Sequence, residues 1–269
     1  MTKVKEIPKD IDIFTYSFPC QDLSQQGKQK GILQGTRSGL LLEVQRILEN
    51  NKNRLPKILL MENVKALASK KFKDAFEKWI LFLESLGYTS SWKILNSVDY
   101  GSTQNRERVF MVSILNSKKE FQWPKKINHK NTLDNIIKFH SYDEFSKFDF
   151  LLTKERTNFK ETNSKINKSI IKNYTKFNSE NYLYLPKGYG ATLTASGANS
   201  RLKFYFEKEN KIRAITDIES FLYMGFSEKD ALKIKNTNLI NKSKMIFLAG
   251  NSISIEVLKS IFTEIVKII

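Results

Sequence analysis

The strongest constraint on this chain is an alternation, over its first 115 residues, of short apolar runs with segments of helical periodicity. Ile11-Asp-Ile-Phe-Thr-Tyr-Ser-Phe18 is dominated by β-branched and aromatic residues and is stopped by Pro19, as a strand is. Leu40, Leu41, Val44, Ile47 and Leu48 then recur at helical spacing, with Ser38 placed to cap the helix. Residues 57–62, Lys-Ile-Leu-Leu-Met-Glu, suit a buried parallel strand. Phe72, Ala75, Phe76, Trp79, Ile80, Leu83 and Leu86 mark a second helix, ended by Gly87. Further strands are expected near Ser91–Asn96 and Arg108–Leu115. This order predicts an α/β sheet with helices packed on its faces.

At Asn116 the composition changes. From there to about Asn210 the chain is rich in Lys, Asn, Ser, Phe and Tyr, with weaker periodicity, which predicts a second, smaller domain at 116–210. Residues 211–269 then return to the first domain, residues 1–115, through a helix carrying Ile255, Leu258, Ile261, Phe262 and Ile265. The 45 Lys and Arg outnumber the 28 Asp and Glu, for a net charge of +17. Such an excess favours a polyanionic partner, although a genome rich in A and T also enriches Lys, Asn and Ile. No apolar run is expected to span a bilayer, and Met1-Thr-Lys-Val-Lys-Glu-Ile-Pro8 has no apolar signal core. One cysteine and two histidines make neither an internal disulfide nor a zinc cluster. The expectation is a soluble cytoplasmic protein without a metal.

Three motifs carry chemistry. Phe18-Pro19-Cys20-Gln21-Asp22-Leu23-Ser24 lies at the carboxyl end of the first strand, where α/β sheets gather reactive groups. A lone cysteine is more often a small buried hydrophobe, but this one enters a loop holding Gly27, Gly31, Gly35 and Gly39. Met61-Glu62-Asn63-Val64 ends the second strand. Glu62, beside Leu60, Met61 and Val64, is either a desolvated acid or a carboxylate at a helix start. In Gln104-Asn105-Arg106-Glu107-Arg108, an extended backbone would present Arg106 and Arg108 on one face. The alternative is a surface cluster paired through Glu107.

Together and in this order the motifs resemble the cytosine-5 DNA methyltransferase family. The resemblance continues through Arg213-Ala-Ile-Thr-Asp-Ile-Glu219-Ser-Phe-Leu-Tyr-Met-Gly225-Phe226 and closes at Ala249-Gly250-Asn251-Ser252-Ile253. Tyr16–Ser24 and Thr192–Arg201 look most like bacterial methylases of restriction-modification systems that act on CG. The resemblance implies an incomplete Rossmann-like sheet of the S-adenosylmethionine-dependent type with a smaller DNA target-recognition domain. It implies that Cys20 adds to carbon 6 of a flipped cytosine while Glu62, Arg106 and Arg108 stabilise the ring. It also implies double-stranded DNA as partner, with Gln21, Ser24, Ser196, Asn199 and Arg201 as contacts. Pro19, Leu40, Asn251 and Ser252 match positions lining one side of the S-adenosyl-L-methionine pocket. Gly188-Tyr-Gly190 is a further candidate DNA contact.

The family's glycine-rich turn, Phe-x-Gly-x-Gly, and its ribose carboxylate have no match in these residues. The expected consequence is an N-terminal methyltransferase half or subunit as partner. A fragment of a broken gene and a start placed too late fit equally, and a non-catalytic DNA-binding protein is the reading from a different class. A methylase of transfer RNA is a weaker rival. If the basic surface tracks phosphates, log K for duplex DNA should fall with log salt at a slope of about −0.9 per phosphate neutralised. Fluorescence anisotropy between low and physiological salt measures it, and a flat response would assign the +17 charge to codon usage.

Overall fold

The computed structural model describes residues 4–18, 41–140 and 144–269. Two compact units are present: 1–95 with 107–124 and 263–269, and 96–106 with 125–262. Packing therefore divides the chain differently from the expected 1–115, 116–210 and 211–269, because most of the return segment clusters with the second unit.

The first unit is built around β2 (Ile58–Val64), flanked by β1 (Ile13–Ser17) and β4 (Glu107–Leu115), with β3 (Tyr88–Asn96) outermost in the order β1-β2-β4-β3. β1 runs parallel to β2 in the register Tyr16↔Met61 and Ser17↔Glu62. β4 runs antiparallel to β2, with Met61↔Met111 and Glu62↔Phe110. Ile58 through Met61 are all buried, so β2 reads as a continuous apolar run and not as an alternation. Helices α1 (Leu41–Glu49) and α2 (Lys73–Ser85) share a core with Tyr16, Leu59, Met61, Val109 and Met111, which project from one face of the sheet. The Trp79 indole donates to the Tyr16 hydroxyl at 2.9 Å, so the polar ends of two buried aromatics satisfy each other.

The second unit holds a five-stranded sheet in sequential order. Its strands are β5 (Lys160–Glu161), β6 (Ile166–Ile170), β7 (Tyr182–Gly188), β8 (Lys203–Phe206) and β9 (Lys211–Ala214). All neighbours are antiparallel except β7 and β8, which are parallel and so need a long connection, residues 189–202. One face, with Tyr184, Phe204 and Phe206, packs with residues of α3 (Asp217–Leu222), α4 (Glu228–Asn236) and α5 (Lys242–Asn251). The other packs Leu183 and Ile212 with Leu151 and Ile171.

By length and composition Lys242–Ile265 could cross a membrane, contrary to the expectation that no stretch could. The chain breaks it into α5 and α6 (Ile255–Ile265), with Ser252 capping the first. Met245, Ala249, Val257, Ile261 and Ile265 are buried in the protein.

Glu219 accepts from both Arg213 terminal nitrogens, at 2.7 and 2.8 Å, with side chains 9% and 3% exposed. The same carboxylate completes a capping box with Thr216 at the start of α3. This gives the Arg213…Glu219 part of the sequence a structural task. Glu219→Ala should destabilise the second unit by about 3–5 kcal/mol, because it strands a buried guanidinium and removes the cap. Urea unfolding with a probe in this unit measures it, and a loss below about 1 kcal/mol would show that solvent reaches Arg213.

Candidate functional site

Glu62 lies where β1 and β2 end side by side. It points to the face opposite α1 and α2, in register with Ser17 and Phe110. Arg108 projects from that same face two residues from Phe110, a diagonal neighbour within reach of a long side chain. Its Nε stands 3.2 Å from Glu62 Oε1, with side chains 17% and 12% exposed. Glu62 is therefore a carboxylate paired with a guanidinium in a partly desolvated place. It is neither at a helix start nor an isolated acid.

The neighbouring Asn63 is buried on the other face, and its amide donates to the Phe18 carbonyl at 3.1 Å. Its Oδ1 accepts from the Val64 N–H at 2.9 Å. Asn63 thus pins the last described residue before Pro19-Cys20. Sequence reasoning gave Asn63 no task; its place in the Glu-Asn-Val motif was the available signal. Pro19, Cys20, Gln21, Ser24 and Leu40 lie outside the described residues.

Arg106 and Arg108 do not present one shared pair of forks, as extended geometry had suggested. β4 begins at Glu107, so Arg106 precedes the strand and escapes its two-residue alternation. The Arg106 guanidinium donates to the carbonyls of Leu193 at 2.7 Å, Gly250 at 3.0 Å and Ser252 at 3.0 Å. Glu107 meets Lys65 at 2.8 Å.

Of the expected DNA contacts, Ser196, Asn199 and Arg201 lie in the β7–β8 connection. The Asn199 carbonyl accepts from Thr194 N–H at 3.3 Å, and that of Ser196 from the Thr194 hydroxyl at 2.7 Å. Arg201 donates to Glu180 at 2.6 Å with its side chain 62% exposed. Burial alone would raise Glu180, but the Arg201 hydrogen bond and the Lys203 and Arg201 charges hold it below the usual carboxylate range. Any anion taking Arg201 must compete with this carboxylate. Gly188 ends β7 at φ +67, and Gly190 N–H donates to the Thr103 carbonyl at 2.8 Å. This Gly-x-Gly opens no helix, so it is not a cofactor turn.

Residues 1–267 match the family profile described as C-5 cytosine-specific DNA methylase. The chain belongs to that family. It is 47% identical to the orphan methyltransferase M.SssI of Spiroplasma monobiae, over 97% of this chain and 67% of that one. It is 37% identical to the type II methyltransferase M2.ScrFI of Lactococcus lactis subsp. cremoris, over 98% and 68%. The chain thus spans about two thirds of the length of these relatives. The fold is similar to the crystal structure of S. pombe Dnmt2 methyltransferase at a TM-score of 0.65 and 18% identity, covering 96% of this chain and 78% of that one.

C-5 cytosine DNA methylases use S-adenosyl-L-methionine, and the described residues do not by themselves fit it. The Ser252 hydroxyl donates to the Ala249 carbonyl at 2.7 Å and its own carbonyl accepts from Arg106. Asn251 is exposed at the end of α5. Among the described residues, no backbone turn of the methylase pattern offers its amides to the cofactor carboxylate.

In a methyl-transfer assay with the cofactor-binding part supplied, Glu62→Gln should lower turnover by about 10²-fold while duplex affinity stays within a few-fold. Unchanged turnover would leave the Glu62–Arg108 pair a merely structural link between β2 and β4.

Proposed function

We propose that this chain carries the base-activating and DNA-reading parts of a methyltransferase acting on cytosine of double-stranded DNA in a CG context. The observation that supports this most is the Glu62–Arg108 pair at the end of β2, beside the strand leading into Pro19-Cys20. On this reading the target cytosine leaves the duplex. The Cys20 thiolate adds to carbon 6, and a proton held by Glu62 goes to N3 as the ring gains electrons. Arg108 steadies the carboxyl group and adds positive charge beside the ring. After methyl transfer to carbon 5, loss of the carbon-5 proton restores the double bond and expels the Cys20 sulfur.

Residues 116–210 are read as the target-recognition part, with Ser196, Asn199 and Arg201 as candidate contacts in the β7–β8 connection. Gln21 and Ser24 are candidate contacts beside the nucleophile. Pro19, Leu40, Asn251 and Ser252 would contribute one side of the cofactor pocket. A further segment, upstream or on a second chain, would bring the glycine-rich turn and the ribose carboxylate. The work of such an enzyme, on chromosomal DNA in restriction-modification or as an orphan methylase, places it in the cytoplasm.

The test is a duplex with 5-fluorocytosine at CG, incubated with S-adenosylmethionine, this chain and a separately expressed N-terminal half of a relative. A covalent adduct should survive denaturation, since fluorine does not leave as a proton, and Cys20→Ala should abolish it. An adduct that persists in Cys20→Ala would overturn the nucleophile. Calorimetry of the chain alone should show no micromolar cofactor binding, because one wall of a pocket does not offset the entropy lost on binding.

A further inference from the structure

Five consecutive residues, Gly190 to Thr194, are held in the second unit by contacts from several distant parts of the sequence. Gly190 lies parallel to Gln104, with its N–H on the Thr103 carbonyl at 2.8 Å and its carbonyl on the Asn105 N–H at 2.9 Å. The Ala191 carbonyl accepts from the Tyr223 hydroxyl at 2.8 Å, and the Thr192 hydroxyl donates to the Asn105 carbonyl at 2.6 Å. Leu193, fully buried, is gripped at both ends of its peptide group. Its N–H donates to Gln104 Oε1 at 2.8 Å, and its carbonyl accepts from Arg106 Nη1 at 2.7 Å. Gln104 is itself oriented by donating to the Tyr223 carbonyl at 3.1 Å. Burial holds the Tyr223 phenol protonated, so it remains a donor.

Two glycines make room for this segment. A Cβ on Gly190 would lie 1.6 Å from the Tyr223 hydroxyl oxygen. One on Gly250 would lie 2.3 Å from the Thr194 carbonyl carbon and 2.4 Å from the Ala195 nitrogen. The backbone of α5 therefore touches the backbone of the segment, and Arg106 spans that contact by reaching Leu193 with one nitrogen and Gly250 and Ser252 with the other.

We propose that Gln104 and Arg106 are positioning residues that clamp Gly190–Thr194 as a rail, from which the loop Ala195–Arg201 is presented to DNA. Neither needs to touch the flipped base. Their effect is on sequence discrimination, because a loop whose root moves cannot hold short side chains against base edges. The inference rests on the reading of 196–201 as DNA-reading residues, so the experiment separates the clamp from that reading.

The full chain would be compared with Arg106→Lys, Gln104→Met and Gly250→Ala, the last displacing the rail without altering either clamping side chain. Hydrogen exchange of peptides covering 190–194 reads the clamp, with a β2 peptide as control for general loosening. Competition between a CG duplex and one with the CG replaced reads discrimination. We expect exchange in 190–194 to rise about tenfold or more in each variant, the effect of leaving a buried peptide group without its partner. Exchange in β2 stays constant, and preference for the CG duplex falls by a similar factor. Non-specific affinity stays within about threefold, since phosphate contacts carry it.

Unchanged exchange in all three variants would overturn the clamp. Raised exchange with undiminished preference for CG would overturn the positioning role. A wild-type chain with protected 190–194 and no CG preference would trace the failure to the loop's reading of DNA, and the proposal would fall with it.

Discussion

The parallel pairing of β1 with β2 is the constraint on which the reaction side of this molecule depends. With Tyr16 opposite Met61, alternation sends Tyr16, Met61 and Met111 toward the helices and Ser17, Glu62 and Phe110 to the other face. A slip by one residue would turn Glu62 into the helix-packed core and Met61 out of it, an exchange that burial of an unpaired carboxylate forbids. Register thus selects the face on which acid–base groups can exist. Asn63 reinforces it from the buried side by holding the Phe18 carbonyl. A carboxylate and a carboxamide adjacent in sequence perform opposite tasks because a strand sends them to opposite faces.

Local signals made much of the first unit readable. The run 57–62 anticipated β2 at Ile58–Val64, and the helical spacing of Phe72 through Leu86 anticipated α2 at Lys73–Ser85. These elements are governed by period and by breakers such as Gly87, which are local quantities. The second unit was poorly legible. Its strands are short, and the parallel β7–β8 pair is joined by fourteen residues without strand periodicity. Composition could announce a change at Asn116 but could not reveal that 96–106 pack with residues beyond 125.

Arg106 shows why the site was less legible than the fold. Its neighbours in sequence suggest an exposed guanidinium beside Arg108, yet it is 4% exposed, and its acceptors lie 87 to 146 residues away. All three are backbone carbonyls, which leave no trace in side-chain identity. A planar fork with several fixed donors can join three such carbonyls, whereas an ammonium on a flexible stem cannot match their geometry. Gly250 had a sequence signal, its place in Gly-Asn-Ser. Its physical reason, the backbone of Thr194–Ala195 at less than a side chain's distance, appears only in three dimensions.

The two arginine–glutamate pairs of the second unit show how burial sorts charge between structure and recognition. Arg213 and Glu219 are almost wholly enclosed, the carboxylate shared between the guanidinium and a helix cap, so neither is available to a ligand without unfolding that corner. Arg201 and Glu180 are equally close, but the guanidinium is mostly in solvent. There the attraction is screened, and a phosphate or a guanine edge can replace the carboxylate at small cost. Glu180 would keep a partner after such an exchange, because the buried Lys203 remains 3.5 Å away. Burial pushes the Lys203 ammonium below its ordinary range, and the Glu180 charge opposes that shift. A carboxylate shared by one exposed and one buried cation can release the first and stay satisfied by the second. That arrangement holds Arg201 in place before DNA arrives and makes it available afterwards.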